Sequence, residues 1–193
     1  MLDTKARHLV EPAIDKAAIL FLKSGLTANF VTWVAFIIGV TSGIFIYIEQ
    51  PILALIVLWV SGFLDAVDGT MARQTKTTPF GTVLDVSFDR LVEISVILGL
   101  AFRYPESMWV LLILSVSIIY AMTIFLTVGA VTEKNGMKSF YYQPGLAERT
   151  EGFILFSLMI ILPNYLLIIG LVFIVVEIFT SLQRLKEARE ILK

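Results

Sequence analysis

The sequence predicts an all-α integral membrane protein, in which six transmembrane helices follow an amphipathic helix at the membrane interface. Two observations lead to this fold class. Hydrophobic residues make up 58% of the 193 residues, and the mean hydropathy is +0.87. The apolar residues also form near-continuous runs of the length that crosses the hydrocarbon core of a bilayer. We therefore expect residues 1–193 to form a single membrane domain.

Hydropathy divides the apolar runs into six predicted spans. Their bounds are residues 27–48, 51–73, 81–103, 107–131, 148–163 and 165–182. The fifth run is short and ends at the Pro163-Asn164 pair. It therefore needs a tight turn, and either local thinning of the bilayer or an extension through Leu146, in order to cross the membrane.

Residues 2–24, ahead of the first span, have the pattern of an amphipathic helix. Apolar residues recur at the i, i+3, i+4 spacing of one helix face, and the charged residues lie off that face. The apolar positions are Leu9, Val10, Ala13, Ile14, Ala17, Ala18 and Phe21. We expect this helix to rest in the membrane interface instead of crossing the bilayer. A cleaved signal peptide fits less well, because the segment has charges throughout and no compact apolar region.

The distribution of basic residues predicts the orientation of the chain. With six spans, all of the fifteen Lys and Arg residues except Arg103 fall on one side of the membrane. By the positive-inside rule, the basic side faces the cytoplasm. Both ends of the chain, including a tail at residues 183–193, and the links near residues 76 and 140 are therefore expected on the cytoplasmic side.

Four aspartates are concentrated at the inner ends of the second and third predicted helices. Asp65 and Asp68 are three residues apart, so they share a helix face. Gly81, Asp85 and Asp89 recur every four residues and form one stripe on the next helix. Because only the short polar link QTKTTPF joins the two helices, we expect the four carboxylates to converge.

Four carboxylates that meet at a membrane boundary repel one another and lose hydration, so they need protons or cations. Hard divalent ions satisfy this need, and Mg2+ suits carboxylate and phosphate oxygens together. A pair of such ions can stabilise the attacking and the leaving oxygen in a displacement at phosphorus. Gly69, Ala72 and Gly81 leave both helices bare beside the carboxylates, which suits the approach of a bulky anionic group.

These residues fill a spacing, D-x2-D-G-x2-A-R-x7-G-x3-D-x3-D, that resembles the signature of the CDP-alcohol phosphotransferase family. In that family the gap after the arginine is seven or eight residues. The fixed positions here are Asp65, Asp68, Gly69, Ala72, Arg73, Gly81, Asp85 and Asp89. A six-span chain of this size is similar to the family's common catalytic core, so the resemblance covers essentially the whole chain.

The resemblance implies a transferase that makes phospholipid by moving a phosphatidyl group, or its archaeal equivalent, from a CDP-linked lipid. An acceptor hydroxyl attacks the phosphorus distal to cytidine, and CMP is released. The metal ligands that the resemblance implies are Asp65, Asp68, Asp85 and Asp89. They would hold two Mg2+ ions, or Mn2+ in their place, and Asp89 would also act as the general base.

The resemblance further implies a nucleotide pocket and a homodimer in the lipid bilayer. The segment LTANFVT looks like the family's Asn/Thr segment, which brings two of its residues to the pocket. The implied nucleotide-binding residues are Asn29, Thr32, Asp68, Gly69, Ala72, Arg73 and Gly81.

The acceptor alcohol is expected to bind at the polar stretch VTEKNGMKSFYYQPGLAERTEGF. This stretch contains Lys134, Lys138 and Arg149, and its GLAERTE part resembles the arginine-bearing start of the family's fifth helix. The positive-inside rule accounts equally well for the two lysines, so their role stays open. Glycerol 3-phosphate, inositol phosphate, serine and other small alcohols remain candidate acceptors, of which we favour a phosphorylated one.

Some residues have two open interpretations. Glu93 continues the aspartate stripe one turn deeper, where it either pairs with a buried polar group or takes part in catalysis. Arg90 is either a surface cation or a partner of those carboxylates. The spacing of Gly39 and Gly43 predicts a close contact between helices.

Two other functions can be built on the same aspartates. An intramembrane prenyltransferase also holds a diphosphate through aspartate-bound Mg2+, but such enzymes usually have more spans and two separate Asp-rich motifs. A cation transporter would place its carboxylates near the middle of broken helices, whereas these lie at a helix end. We therefore expect an enzyme of a prokaryotic cell membrane with a cytoplasmic active site and no nucleic-acid partner.

Overall fold

The computed structural model describes residues 7–132 and 149–192, with side chains from residue 10 onward. In this part of the chain every regular element is helical, which confirms the predicted all-α class. The α-helices are α1 Arg7–Lys23, α2 Ala28–Tyr47, α3 Pro51–Gln74, α4 Pro79–Arg103, α5 Met108–Val131, α6 Arg149–Ile161 and α7 Leu166–Ile191. Short 3-10 turns at Pro105–Ser107 and Pro163–Tyr165 precede α5 and α7.

Four helices of the described residues are long and apolar enough to cross a membrane. They are Ala28–Tyr47, Pro51–Gln74, Pro105–Val131 and Pro163–Ile191, the last two counted with their 3-10 turns. The six predicted spans are therefore not confirmed. Helix α4 carries charged residues through its first half, which a membrane span ordinarily lacks. Helix α6 has 13 residues, which gives a length of about 20 Å against a hydrocarbon core of about 30 Å.

Most predicted helix bounds agree with the observed ones to within two residues, but the last helix is different. Helix α7 continues to Ile191, so the predicted tail at residues 183–193 is helical as far as that residue. Hydropathy detects the end of the apolar run, which falls near Leu182, and the charged residues beyond it are good helix formers. Residues 2–6, the extension through Leu146 and the start of the fifth predicted span lie outside the described residues.

The chain divides into two compact units, and the first contains α1 to α4. Helix α2 is central to this unit because it packs against both α3 and α4. Two serine hydroxyls fix α2 to α3, since Ser61 donates to the carbonyl of Ala35 at 2.8 Å and Ser42 donates to that of Ala54 at 3.0 Å. Helices α3 and α4 do not pack closely against each other in the described structure.

Helices α2 and α4 run in the same direction and touch along a seam. Near its start the ring of Phe88 lies 4.2 Å from the ring of Phe36 and 4.6 Å from that of Trp33, between centroids. Further along, a Cβ added at Gly43 would collide with the backbone of Ser95, and one added at Gly99 would collide with the backbone of Gly43. The helix backbones are therefore in direct contact at this point.

Gly39 lies one turn before Gly43 on the same face of α2. A Cβ at Gly39 would run into the side chains of Ser61 and Val92, which belong to α3 and α4. The predicted contact of Gly39 and Gly43 with other helices is thus confirmed. Small residues at such contacts let helices approach closely enough for dispersion forces to hold them together in lipid.

Helix α1 packs against α3. Ile14 and Ala18, two members of the predicted apolar stripe, are buried in a cluster with Val31, Val67 and Met71. Part of the stripe therefore contacts protein instead of lipid, whereas Val10 is 52% exposed. The location of α1 at the membrane interface stays a prediction.

The link between α2 and α3 contains Glu49 in the left-handed backbone region, with φ of 62°. Its carboxylate Oε1 pairs with Nη2 of Arg103, at the end of α4, over 2.8 Å. This ion pair neutralises the one basic residue that the predicted topology leaves on the outer side.

The second unit contains α5 to α7, in which α7 packs against both α5 and α6. Phe156 and Phe173 meet edge to face with 5.1 Å between ring centroids. Arg184 is buried on α7, where it donates to the carbonyl of Ala121 at 3.4 Å and lies 4.9 Å from the ring centroid of Phe125. The positive-inside rule counts Arg184 only as a basic residue of the cytoplasmic side and does not predict its burial.

Replacing Gly43 with Ala is expected to destabilise the protein by about 1–3 kcal/mol, the usual cost of overpacking. The added Cβ meets the backbone of Ser95, which cannot move without shifting α4. The matched control is Gly152→Ala, whose Cβ would lie 3.6 Å from Cζ of Phe173, an ordinary van der Waals distance. Thermal unfolding in one detergent measures both. Equal unfolding midpoints for the two variants would contradict the close contact.

Candidate metal centre

Three carboxylates converge where α3 and α4 approach their shared turn. One oxygen from each of Asp65, Asp68 and Asp85 lies within 4.8 Å of the other two. The structure thus brings together three of the four aspartates that the sequence singled out. Groups of oxygen atoms at this separation can share one hard divalent cation.

The turn between the two helices explains the convergence. Helix α3 ends at Gln74 and α4 begins at Pro79, with the hydroxyl of Thr78 accepting from the backbone N–H of Gly81 at 3.0 Å as the N-cap. Asp68 lies six residues before the end of α3 and Asp85 six residues after the start of α4, so each is about 9 Å from the turn. The two side chains therefore reach the same level and face each other.

Asp68 has the most buried carboxylate of the group, with 4% of the residue exposed. Its Oδ2 atom has no hydrogen-bond partner among the described residues. The Thr32 hydroxyl lies beside this carboxylate, but in the structure it donates its proton to the carbonyl of Ala28 at 3.0 Å. A buried carboxylate oxygen without a donor is costly. A bound cation would satisfy it, so the donor set fits a divalent metal.

Asp89 is not part of this three-carboxylate group. It lies one turn beyond Asp85 on α4 and is half-buried. It is near enough to interact electrostatically with both Asp85 and Asp68. Its two implied roles, as fourth ligand and as general base, stay predictions.

The residues implied for nucleotide binding lie around the carboxylates in the same unit. A Cβ at Gly81 would sit 3.1 Å from Oδ1 of Asn29, so the start of α2 touches the start of α4. Gly69 lies beside Arg73, whose Nη1 would be 3.3 Å from a Cβ at that glycine. The other terminal nitrogen of Arg73 donates to the hydroxyl of Thr70 at 2.7 Å.

Glu93 and Arg90 form an ion pair, which answers the question that the sequence left open. Nη1 of Arg90 lies 2.6 Å from Oε2 of Glu93, three residues further along α4. Glu93 therefore has a polar partner in the half-buried Arg90, and Arg90 is paired with a carboxylate outside the predicted ligand set. Arg90 also acts electrostatically on Asp85 and Asp89.

The residues predicted to bind the acceptor are only partly described. Lys134 and Lys138 lie outside the described residues. Arg149 begins α6 in the second unit, and its guanidinium lies 5.5 Å from the ring centroid of Phe153. Arg184, which sequence reasoning missed as a buried cation, could have been found from helix spacing. It falls on one face of α7 with the buried residues Phe173, Thr180, Ser181 and Ala188.

Comparison with known proteins gives a family for this arrangement. The sequence model described as CDP-alcohol phosphatidyltransferase matches residues 25–183. The inner membrane protein YnjF of Escherichia coli (strain K12) is 31% identical in an alignment 177 residues long, which covers 86% of this chain and 84% of YnjF. An archaetidylinositol phosphate synthase of Pyrococcus horikoshii is 36% identical over 99 residues, about half of either chain: 51% of this one and 53% of the relative.

Solved structures share the fold. The Mycobacterium tuberculosis phosphatidylinositol phosphate synthase PgsA1 with CDP-DAG bound superposes with a TM-score of 0.74 at 24% identity, covering 91% of this chain and 92% of that one. The same protein in complex with manganese and citrate also gives a TM-score of 0.74, over 91% of this chain and 88% of that one.

The family match extends through both units and includes all the signature residues of α3 and α4. The membrane-length helices and the resemblance to an inner membrane protein are consistent with it. The chain is an integral membrane enzyme that belongs to the CDP-alcohol phosphatidyltransferase family.

Proposed function

We propose that the protein transfers a phosphatidyl group, or its archaeal equivalent, from a CDP-linked lipid to a small phosphorylated alcohol, with release of CMP. The observation that carries this proposal is the convergence of Asp65, Asp68 and Asp85 within 4.8 Å. In the reaction, a bond forms between the acceptor oxygen and the lipid-bearing phosphorus, while the bond from that phosphorus to the CMP oxygen breaks. The family match leaves the prenyltransferase and the cation transporter without support.

The carboxylate group is proposed to hold two Mg2+ ions, with Mn2+ as a substitute. The ligands in this proposal are Asp65, Asp68, Asp85 and Asp89. Such ions, when bound, neutralise the pyrophosphate and stabilise the attacking and leaving oxygens. Oxygen-only donors match the ligand preference of both metals, and a mycobacterial protein with the same fold has been solved with manganese.

Asp89 is proposed to take the proton of the acceptor hydroxyl. It is half-buried on the face of α4 that carries Asp85, one turn away. Because Asp89 lies beside the group of three carboxylates but is not one of them, it is suited to contact the acceptor as well as a metal ion. In this role it would hold the incoming hydroxyl in line with the phosphorus that it attacks.

The nucleotide part of the donor is proposed to bind along the glycine-bearing faces of α3 and α4. Gly69 and Gly81 leave room next to the carboxylates, and Ala72 adds only a methyl group. Arg73, which is exposed, offers a charged donor to a phosphate oxygen. Asn29, Thr32 and Asp68 complete the proposed pocket.

The acceptor is proposed to be a phosphorylated alcohol such as inositol phosphate or glycerol 3-phosphate. Support comes from the resemblance to an archaetidylinositol phosphate synthase over half of the chain. The proposed acceptor-binding residues are Lys134, Lys138 and Arg149. Three cations in one stretch would suit the negative charge of an acceptor phosphate.

The membrane arrangement is also a proposal. It has six spans in one domain, α1 resting in the interface, the aspartates on the cytoplasmic side of a prokaryotic cell membrane, and a homodimer as the working form. The positive-inside pattern supports the orientation.

Neutralising Asp68 and Asp89 is expected to give two different defects. Asp68→Asn removes a metal ligand, so the Mg2+ concentration for half-maximal CMP release should rise more than about tenfold, since even indirect metal partners cost that much. Asp89→Asn also removes a proposed metal ligand, so it is compared at saturating Mg2+, where it should still bind CDP-lipid yet lose transfer by about 100- to 10,000-fold, as expected for a general base. CMP release is measured with CDP-diacylglycerol, a Mg2+ titration and a panel of alcohols.

The control for these variants is Glu106→Gln, which removes a carboxylate from an exposed turn outside α3 and α4. It should match the wild type. If Asp89→Asn transfers at nearly the wild-type rate in saturating Mg2+, the base assignment is wrong. If no alcohol in the panel releases CMP from the wild-type protein, the proposed reaction itself fails.

Arg149→Ala is expected to raise the acceptor KM at least about tenfold, because loss of a charge-assisted contact to phosphate costs about 1.5–3 kcal/mol. Binding of the CDP-lipid should stay nearly intact. The control is Arg189→Ala, an exposed arginine of α7 in the same unit. If Arg149→Ala instead weakens CDP-lipid binding by a similar factor and leaves the acceptor KM unchanged, Arg149 belongs to the nucleotide site and not to the acceptor site.

Labelling of single introduced cysteines is expected to distinguish a topology of six spans from one of four. The chain has no cysteine of its own, so there is no background labelling. With six spans, a cysteine at Lys76 is labelled from the cytoplasmic side, and cysteines at Glu106 and Asn164 from the opposite side. Labelling with a membrane-impermeant reagent in oriented vesicles makes the measurement. Labelling of positions 76 and 106 from one side would mean that α4 does not cross.

A further inference from the structure

Thr70 is a buried polar residue of α3, with 6% of the residue exposed. Its hydroxyl donates to the backbone carbonyl of Ala66, one turn earlier, at 3.0 Å. The same oxygen accepts from Nη2 of Arg73, three residues later, at 2.7 Å. Because the hydroxyl proton is bound to a carbonyl, a lone pair of the oxygen faces the guanidinium, and the bond to Arg73 is charge-assisted.

The guanidinium of Arg73 also lies next to the bare backbone of Gly69. Its Nη1 would be 3.3 Å from a Cβ at Gly69, which is tighter than an ordinary contact. Arg73 is near enough to act electrostatically on both Asp68 and Asp85. With one nitrogen bound to Thr70 and the other next to Gly69, the guanidinium has a defined place beside the carboxylates.

Arg73 is exposed, although one of its terminal nitrogens has a buried partner. The long side chain of an exposed arginine ordinarily samples many rotamers. A ligand that binds such a side chain loses affinity, because binding must order it. A hydroxyl that is itself fixed to the helix restricts this freedom before a ligand arrives.

We propose that Thr70 is a positioning residue that orders the guanidinium of Arg73 for the phosphate groups of a CDP-linked lipid. This rests on the proposed function, in which Arg73 donates to a phosphate oxygen at the glycine-bearing face of α3. Because Thr70 is buried, it acts through Arg73 and not on the lipid directly. A contact that is equally strong in the bound substrate and in the transition state lowers KM and leaves kcat unchanged.

Thr70→Val replaces the hydroxyl with a methyl group of similar size. The Kd for CDP-diacylglycerol should rise about three- to tenfold, the range for loss of one hydrogen bond. The KM should rise with it, while kcat stays nearly the same. Thr70→Ser keeps the hydroxyl and should bind the donor as the wild type does. In the background of Arg73→Ala, Thr70→Val should cause no further loss, because the group that it positions is gone.

The experiment measures equilibrium binding of CDP-diacylglycerol to the full chain in detergent, with Mg2+ and without acceptor. The rate of CMP release against the CDP-diacylglycerol concentration then gives KM and kcat. The matched control is Thr41→Val on α2, whose hydroxyl donates to the carbonyl of Ile38 at 2.6 Å. It removes a hydroxyl-to-carbonyl bond within a helix of the same unit and leaves Arg73 untouched, so it should bind the donor as the wild type does.

An equal loss of donor affinity from Thr70→Val with and without Arg73 would overturn the proposal and leave Thr70 as a structural support. Unchanged affinity in Thr70→Val or in Arg73→Ala would overturn it as well, and so would an equal loss in Thr41→Val. Should Thr70→Val fail to fold, Thr70→Ala is compared in the same two backgrounds by the same criterion. Absence of CDP-diacylglycerol binding in the wild type would reject the proposed function itself, and with it this role of Thr70.

Discussion

The direct backbone contact of α2 with α4 is the interaction on which the rest of the first unit depends. Hydrophobic force does not drive helices together in lipid, because the acyl chains are as apolar as the side chains. Gly43 and Gly99 instead let the two backbones approach closely enough for dispersion attraction to hold the helices together. Two serine hydroxyls then fix α3 to the other side of α2. Helix α2 thus holds α3 and α4 at a set separation, although those two helices do not pack closely against each other.

That separation matters because the carboxylates of α3 and α4 repel one another. Three charges whose oxygens lie within 4.8 Å would push apart two helices that were free to move. Positions on rigid helices, each anchored to a third, resist this repulsion better than loop positions do. The scaffold therefore keeps the three carboxylates close enough together for one divalent cation to bind them.

The aspartates could be predicted from the sequence because their spacing alone determines which helix face they share. The pairing of Glu93 with Arg90 could not, since Arg90 has Asp85, Asp89 and Glu93 all within a turn or so of helix. Only side-chain geometry selects one of these partners. Arg184 was missed for a related reason: a charge rule assigns a residue to a side of the membrane but does not say whether it is buried.

Hydropathy predicts where an apolar helix lies, but it does not predict where a polar part of a helix ends. It reports average polarity in a window, so it located α2, α3 and α5 to within two residues. It has no means of detecting that α7 continues to Ile191 as a polar helix. In α4 the same residues that form the site reduce the apolar character by which a span is recognised, so functional and membrane signals conflict in one segment.

The seam between α2 and α4 also restricts how a lipid can reach the aspartates. Backbones in contact at Gly43 and Gly99, with the rings of Trp33, Phe36 and Phe88 closing the seam nearer the site, leave no slot for a hydrocarbon chain on that side. Helices α3 and α4 themselves do not pack closely against each other in the part of the chain that the structure describes. A lipid headgroup that binds at the carboxylates must therefore come from a side other than the seam between α2 and α4.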